Sequence, residues 1–152
     1  MNRQSALLLL SLVGCAESDD GYDGTSKSDQ PHRAGQDWYI DGLNGSDDQA
    51  GCIDAPWRTL DAVSSRTFVP GDRIRFKRGT RYTGCVTVRG DGTAEDPITI
   101  GAYGTGAAPR FTNPDAEVKA GNAMRIRGSH HIVEDLFFHH TAPAPPDVGS
   151  FE

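Results

Sequence analysis

Residues 70–111 read PGDRIRFKRGTRYTGCVTVRGDGTAEDPITIGAYGTGAAPRF. In this stretch apolar residues alternate with polar ones in three short segments, which are separated by Gly-rich turns. The alternating apolar positions are Ile74 and Phe76, Val86 and Val88, and Ile98 and Ile100. A period of two is typical of a half-buried β-strand, because successive side chains leave opposite faces of an extended chain. The stretch therefore predicts three strands at intervals of about twelve residues.

The apolar pattern also recurs over a longer distance. A step of about 25 residues leads from each apolar position to another, which is within the range of solenoid repeats. The two series are Ile74, Ile98 and Met124, and Val86, Phe111 and Phe137. We expect about two strands in each step, with stacked coils that begin at Ile74, Ile98 and Met124.

The first residues resemble an export signal. Arg3 supplies a positive charge, and an apolar run over residues 6–13 leads to Gly14 and Cys15. A membrane-spanning helix needs about 20 apolar residues, so this run is too short to be an anchor. Residues 12–15 (LVGC) resemble the lipobox of bacterial lipoproteins, in which the cysteine becomes the first mature residue and carries a lipid.

The lipobox resemblance implies a signal peptide at residues 1–14, lipidation of Cys15, and an exported protein anchored in the outer membrane, in the periplasm or at the cell surface. An ordinary secretory signal with an incidental cysteine is the alternative. Residues 15–36 hold few large apolar side chains and many Ser, Asp and Gly. Such a composition cannot bury enough surface to fold, so we expect a flexible tether.

Composition limits the function classes. The net charge is -6 at pH 7, which argues against a general nucleic-acid binder, because such proteins are expected to be basic. The chain has 18 Gly and 9 Pro, a content that favours a turn-rich β protein of one domain.

Two cysteines remain if Cys15 carries a lipid. An oxidising compartment favours a disulfide between Cys52 and Cys85, which would stabilise the fold by about 3 kcal/mol in the chain-entropy model. Two free buried thiols are the alternative. The spacing of the cysteines does not resemble a zinc motif.

The segment before the repeats predicts a strand, a turn and a helix. Residues 37–41 (DWYID) read as a strand, and residues 42–48 as a turn that is rich in Gly, Asn and Asp. The turn lacks the ligand spacing of an EF-hand, so a solvated turn is favoured over a calcium site. In residues 55–63, Trp57, Leu60 and Val63 would share one helical face, which predicts a short helix that covers the first coil. Trp57 is then a core residue rather than a platform for a sugar.

Several of these segments resemble the N-terminal part of right-handed parallel β-helix proteins of the pectate-lyase-like superfamily. They are WYID (residues 38–41) with NGSD (44–47), APWRTL (55–60), PGDRI (70–74), and DPITI (96–100) with AYG (102–104). The resemblance implies an all-β fold, a right-handed parallel β-helix over residues 37–141 with a short N-terminal capping helix. It also implies polysaccharide as a partner. Calcium is implied by this resemblance alone, and no other cofactor is evident.

A basic stripe is the main candidate for recognition. Arg73, Arg75 and Lys77 alternate with apolar residues and should share one outward face, with Arg125 and Arg127 at matching positions two coils later. Arginine side chains could grip the carboxylates of an acidic polysaccharide there. A solvated strand face is the alternative and the more frequent one.

The last part of the chain adds little chemistry. His130, His131, His139 and His140 form two adjacent pairs whose members would leave opposite faces of a strand, so no metal-ligand set closes around them. Phe137 and Phe138 are better explained as core and ladder residues. Residues 142–152 form a Pro-rich irregular tail, because Pro cannot donate a ladder hydrogen bond.

We therefore expect two to three coils, the last of them incomplete. A truncated product explains this better than a short protein whose open end binds a partner. The functional expectation is an exported protein that resembles polysaccharide lyases and contacts acidic glycans, without a complete active site and with no assignable catalytic residue. The alternatives are a non-catalytic glycan-binding lipoprotein and a truncated remnant without activity.

Overall fold

The computed structural model describes residues 35–113 and 122–139. The regular secondary structure of this part of the chain is strand apart from one short helix, as the composition predicts. The elements are β1 (Asp37–Ile40), α1 (Leu60–Ser64), β2 (Thr67–Phe68), β3 (Arg73–Lys77), β4 (Arg81–Thr83), β5 (Val86–Gly90), β6 (Ile98–Tyr103), β7 (Arg110–Thr112), β8 (Met124–Arg127), β9 (His131–Val133) and β10 (Phe137–His139).

The strands form three sheets. Sheet 1 has the order β1-β3-β6-β9, sheet 2 has β4-β7-β10, and sheet 3 has β2-β5-β8. All pairings between these strands are parallel. From β3 onwards the chain visits sheets 1, 2 and 3 in turn and then returns to sheet 1 for the next strand. We call one such passage a circuit; the circuits begin at β3, β6 and β9. The parallel all-β fold is thus confirmed.

The predicted alternation sets the core. Ile74, Phe76, Val86, Val88, Ile98 and Ile100 are all fully buried. Parallel pairing places Ile74 directly beside Ile100, so apolar side chains of successive circuits stack between the sheets. Burial of one such side chain stabilises the fold by about 1.5–3 kcal/mol.

The predicted register between circuits is only partly correct. Each full circuit holds three strands rather than two, because β4 was missed in the first circuit and β8 was taken as the start of the third. Val86 pairs with Met124 rather than leading to Phe111, and Ile98 pairs with His131 rather than with Met124. The step between paired residues varies because the connecting turns differ in length. A single step of about 25 residues therefore could not describe every sheet.

An aromatic ladder fills the inner side of sheet 2. The ring of Phe111 stacks on Tyr82 with centroids 5.2 Å apart and on Phe138 at 5.3 Å. Phe76 meets both Tyr82 and Phe111 edge to face. Phe138 is thus a ladder residue as predicted. Phe137, by contrast, is 50% exposed, so the expectation that it belongs to the core is wrong.

The predicted helix is shorter than expected. It begins at Leu60, where the Thr59 hydroxyl caps it by accepting from the amide of Ala62. Trp57 lies before the helix and forms a parallel bridge with Ile40 at the edge of sheet 1. Its apolar spacing to Leu60 and Val63 fits a bridge followed by a helix as well as one continuous helix. Trp57 is 2% exposed, which confirms it as a core residue.

Several expectations lie outside the described residues. They concern the signal peptide, Cys15, the tether up to residue 34, His140 and the Pro-rich tail. Among residues 35–113 and 122–139, the structure has no helix long and apolar enough to span a membrane.

Candidate functional site

The outer face of sheet 1 gathers most of the polar and aromatic residues that could bind a ligand. Parallel pairing arranges its outward side chains in rows that cross the strands. Register places Asp37 beside Arg73 and Thr99, Tyr39 beside Arg75 and Gly101, and Lys77 beside Tyr103. We call this surface the sheet 1 face.

The basic stripe lies on the sheet 1 face, but most of its charge is matched. The Nε of Arg75 donates to Oδ1 of Asp37 at 2.8 Å, and Nζ of Lys77 donates to Oδ2 of Asp41 at 3.0 Å. Arg73 forms no ion pair with any residue that the structure describes. The face is therefore a set of ion pairs with one unmatched arginine, rather than the positive patch that the sequence predicted.

Asp41 is the most constrained carboxylate of the face. Its side chain accepts from Lys77, from the amides of Leu43 and Asn44, and from the side chain of Asn44. Burial alone would raise its pKa, but these hydrogen bonds outweigh burial and lower the pKa. Both oxygens of Asp41 therefore accept from N–H donors.

Two tyrosines stand together on the sheet 1 face. The rings of Tyr39 and Tyr103 meet edge to face with centroids 5.0 Å apart, and Nζ of Lys77 lies 5.6 Å from the centre of the Tyr103 ring. Burial, and then the charge of Asp37, raise the pKa of Tyr39; burial, and then the charge of Asp41, raise the pKa of Tyr103. Both phenols therefore stay protonated at neutral pH and can donate hydrogen bonds.

A carboxylate lies over the middle of the face. Gly101 has no side chain, and a Cβ added there would lie 3.2 Å from Cγ of Glu134 and 3.4 Å from its Oε1. The glycine thus leaves the space that the Glu134 side chain occupies. Glu134 is exposed, and its carboxylate forms no ion pair within the described part of the chain. Sequence reasoning missed Glu134, since this residue lies outside any alternating strand pattern.

Arg125 and Arg127 do not join Arg73, Arg75 and Lys77. They lie on β8 in sheet 3, where they pair with Thr87 and Arg89. The predicted alignment of all five basic residues is therefore wrong, because the third strand of each circuit was missed.

The structure shows Cys52 and Cys85 as separate, half-buried thiols, so the expected disulfide is not formed in it. Cys52 belongs to the loop that runs along the outer edge of β1, where Gly51 accepts from the amide of Tyr39. Cys85 lies one circuit further, between β4 and β5.

The described histidines stay apart. His131 points into the core, and its Nε2 is buried without a partner among the described residues. Burial lowers the pKa of His131, although the charge of Asp91 opposes this. His139 lies on sheet 2, where its ring stacks on Phe137. In residues 35–113 and 122–139 no three His, Cys, Asp or Glu side chains come together as a metal site.

The solved structures that are similar to this chain include two of one enzyme. They are the selenomethionine derivative and the native form of a GH136 lacto-N-biosidase from Eubacterium ramulus, with TM-scores of 0.62 and 0.61 and 25% sequence identity. Each similarity covers 76% of this chain and 22% of the biosidase chain, so the chain spans about a fifth of the length of the structures it matches. No protein-family model and no curated protein matches the sequence.

Proposed function

We propose that the chain forms part of a right-handed parallel β-helix that binds a glycan on the sheet 1 face. The regular visits to sheets 1, 2 and 3 support the β-helix, with α1 and the bridge at Trp57 as its N-terminal cap. The similar structures are of a lacto-N-biosidase, an enzyme whose name describes action on a glycan. Likeness of fold alone does not carry function, so the proposal rests on the face itself.

The tyrosine pair beside the Glu134 carboxylate is the observation that carries this proposal. A sugar offers a C–H face to an aromatic ring and hydroxyl groups to carboxylates and guanidinium groups. Tyr39 and Tyr103 supply the rings, Glu134 supplies an acceptor, and Asp37 holds the Arg75 fork in place. Because their charges are already matched, Arg75 and Lys77 suit an uncharged sugar; an acidic sugar would depend on Arg73 at this face.

The proposed activity is binding. Hydrolysis of a glycosidic bond needs two carboxyl groups on opposite sides of that bond, and elimination needs a base beside an acidic sugar. On this face Asp37 and Asp41 are held in ion pairs, which leaves Glu134 as the carboxylate without such a partner in the described residues. No described residue favours β-elimination over binding.

Binding can be measured by titrating the full chain with lacto-N-biose in a calorimeter. We expect Tyr103→Ala and Glu134→Ala each to weaken binding about tenfold, a loss of about 1.4 kcal/mol. Phe137→Ala is the matched control, because it removes an exposed aromatic ring from sheet 2. Equal affinity of all three variants, with unchanged circular dichroism, would contradict the proposal.

We also propose that the protein is an exported lipoprotein held at the outer membrane through Cys15. The apolar run of residues 6–13 followed by Gly14 and Cys15 supports this. Cells that express the chain should incorporate labelled palmitate into it, and Cys15→Ala should abolish the label. Cys85→Ala serves as the control. Equal labelling of the Cys15 and Cys85 variants would refute lipidation at Cys15.

A further inference from the structure

Three arginines share the outer face of sheet 3. Register puts Arg127 directly beside Arg89 and places Arg125 beside Thr87, at a strand spacing of about 4.8 Å. Their side chains leave the face opposite to the buried Val86 and Val88. All three arginines are exposed. We call this group the arginine ridge.

The ridge is electrostatically unlike the sheet 1 face. Like charges that sit directly opposite each other on neighbouring strands destabilise a sheet. None of the three arginines forms an ion pair with a described residue, whereas Arg75, Lys77 and Arg78 each pair with an aspartate. Among residues 35–113 and 122–139, no Asp or Glu side chain forms an ion pair with the ridge. An external anion would remove the repulsion.

The local structure holds one arginine of the ridge. A guanidinium nitrogen of Arg89 donates to the carbonyl of Ser64, the last residue of α1, and the Ser64 hydroxyl accepts from the amide of Thr87. Helix α1 thereby fixes Arg89 against β5. The exposed side chains of Arg125 and Arg127 are left to meet a ligand from solvent.

The chemistry of the ridge selects among anionic ligands. Guanidinium groups bind carboxylates and sulfates through paired hydrogen bonds. The outward residues of sheet 3 are arginines and threonines without an aromatic ring, whereas proteins that bind single-stranded nucleic acid stack bases on aromatic side chains. Three cations are also fewer than the four to eight of a typical basic lipid-binding cluster.

We propose that the arginine ridge is a second binding site, separate from the sheet 1 face, which takes the carboxylate or sulfate groups of an acidic polysaccharide. A linear polymer laid across β5 and β8 presents one anionic group to Arg89 and Arg127 and the next to Arg125. This site is independent of the proposed glycan site, because the two lie on different sheets.

Affinity electrophoresis of the full chain tests the ridge, with polygalacturonate, dextran sulfate or neutral dextran in the gel. We expect the acidic polymers to retard the protein and added salt to weaken the effect. The variant R125Q/R127Q should lose at least half of the retardation. The control R58Q/R81Q removes the same charge from two exposed arginines outside both proposed sites and should keep it.

Each outcome decides the proposal. Retardation by polygalacturonate alone or by dextran sulfate alone supports the site and identifies its anion. Equal loss in R125Q/R127Q and R58Q/R81Q would show an effect of overall charge and overturn the site, as would equal retardation by neutral dextran. Stronger displacement by single-stranded DNA than by the polysaccharide would also overturn it. Because lacto-N-biose is uncharged, failure here leaves the test of the sheet 1 face unaffected.

Discussion

At the scale of single residues, Tyr82 links two parts of the chain that are distant in sequence. Its ring belongs to the aromatic ladder of sheet 2, and its hydroxyl donates to the carbonyl of Ile40 at 3.0 Å. The residue is 4% exposed. Burial raises the pKa of Tyr82 to about 12, because the phenolate would be poorly solvated.

The change Tyr82→Phe tests this link. It removes the hydroxyl that donates to the Ile40 carbonyl, and we expect a loss of about 1 kcal/mol in the free energy of unfolding at neutral pH. The pKa of Tyr82 is higher in the folded state than in the unfolded state. Its contribution to stability is therefore present in full below about pH 10, the pKa in the unfolded state, and is lost as the pH rises through the pKa in the folded state. Urea unfolding between neutral and alkaline pH should therefore show a weaker decline for the variant. A parallel decline for both proteins would contradict the assigned environment.

At the scale of elements, the aromatic ladder explains why the short strands of sheet 2 form at all. β4, β7 and β10 have three residues each, and each contributes one central residue to the inner side. Those residues are Tyr82, Phe111 and Phe138, which stack from circuit to circuit. One large ring per strand thus replaces the two branched side chains that β5 and β6 each bury.

Removal of an aromatic ring should strongly destabilise the fold only on the inner side of sheet 2. Phe111 is fully buried between two rings, so Phe111→Ala should destabilise the fold by about 3–5 kcal/mol through lost burial and the cavity left behind. Phe137→Ala removes the same ring from the outer side of the adjacent strand and should cost less than about 1 kcal/mol. Thermal and urea unfolding of both variants would check this. Similar losses would mean that the two sides are wrongly assigned.

Alternation of apolar and polar residues predicts only the strands with two inward apolar residues. β3, β5 and β6 show alternation, whereas β4, β7 and β10 are too short for a period of two to appear. The outward direction of Arg73, Arg75 and Lys77 followed from the same alternation and is confirmed. The pairing of Arg75 and Lys77 with acids was not predictable, because Asp37 lies on β1 and Asp41 directly after it, and parallel pairing brings β1 beside β3 from 36 residues away.

At the scale of the whole molecule, the two ends of the stacked circuits differ. The outer edge of β1 is covered, since Asp41 and Tyr39 exchange backbone hydrogen bonds with Trp57. β8, β9 and β10 are the last described strands of their sheets, and each pairs on one side only within residues 35–113 and 122–139. Between them lies a cavity of about 530 Å³, lined by Met124, Ile126, Val133 and Phe138 among others.

This difference should govern local stability. Backbone amides of β3 and β6 lie between two neighbouring strands, whereas those of β9 and β10 rest on one neighbour and on side chains such as Phe138 that are 43% exposed. Local opening requires little free energy where few apolar contacts are lost. We expect hydrogen exchange of the full chain, followed by mass spectrometry, to show protection that decreases from β3 and β6 towards β9 and β10.

Hydrogen exchange of the variant Phe138→Ala tests which strands lose protection together. Loss of the ring should speed exchange in β10 and in its partner β7, while β1 and β3 keep the protection of the unsubstituted protein, because the ladder transmits the loss only to the circuit below. Leu43→Ala is the control, since Leu43 is 68% exposed in the turn after β1. Uniform protection across the three sheets, or an equal effect of both substitutions on β7, would show that the circuits open as one cooperative unit.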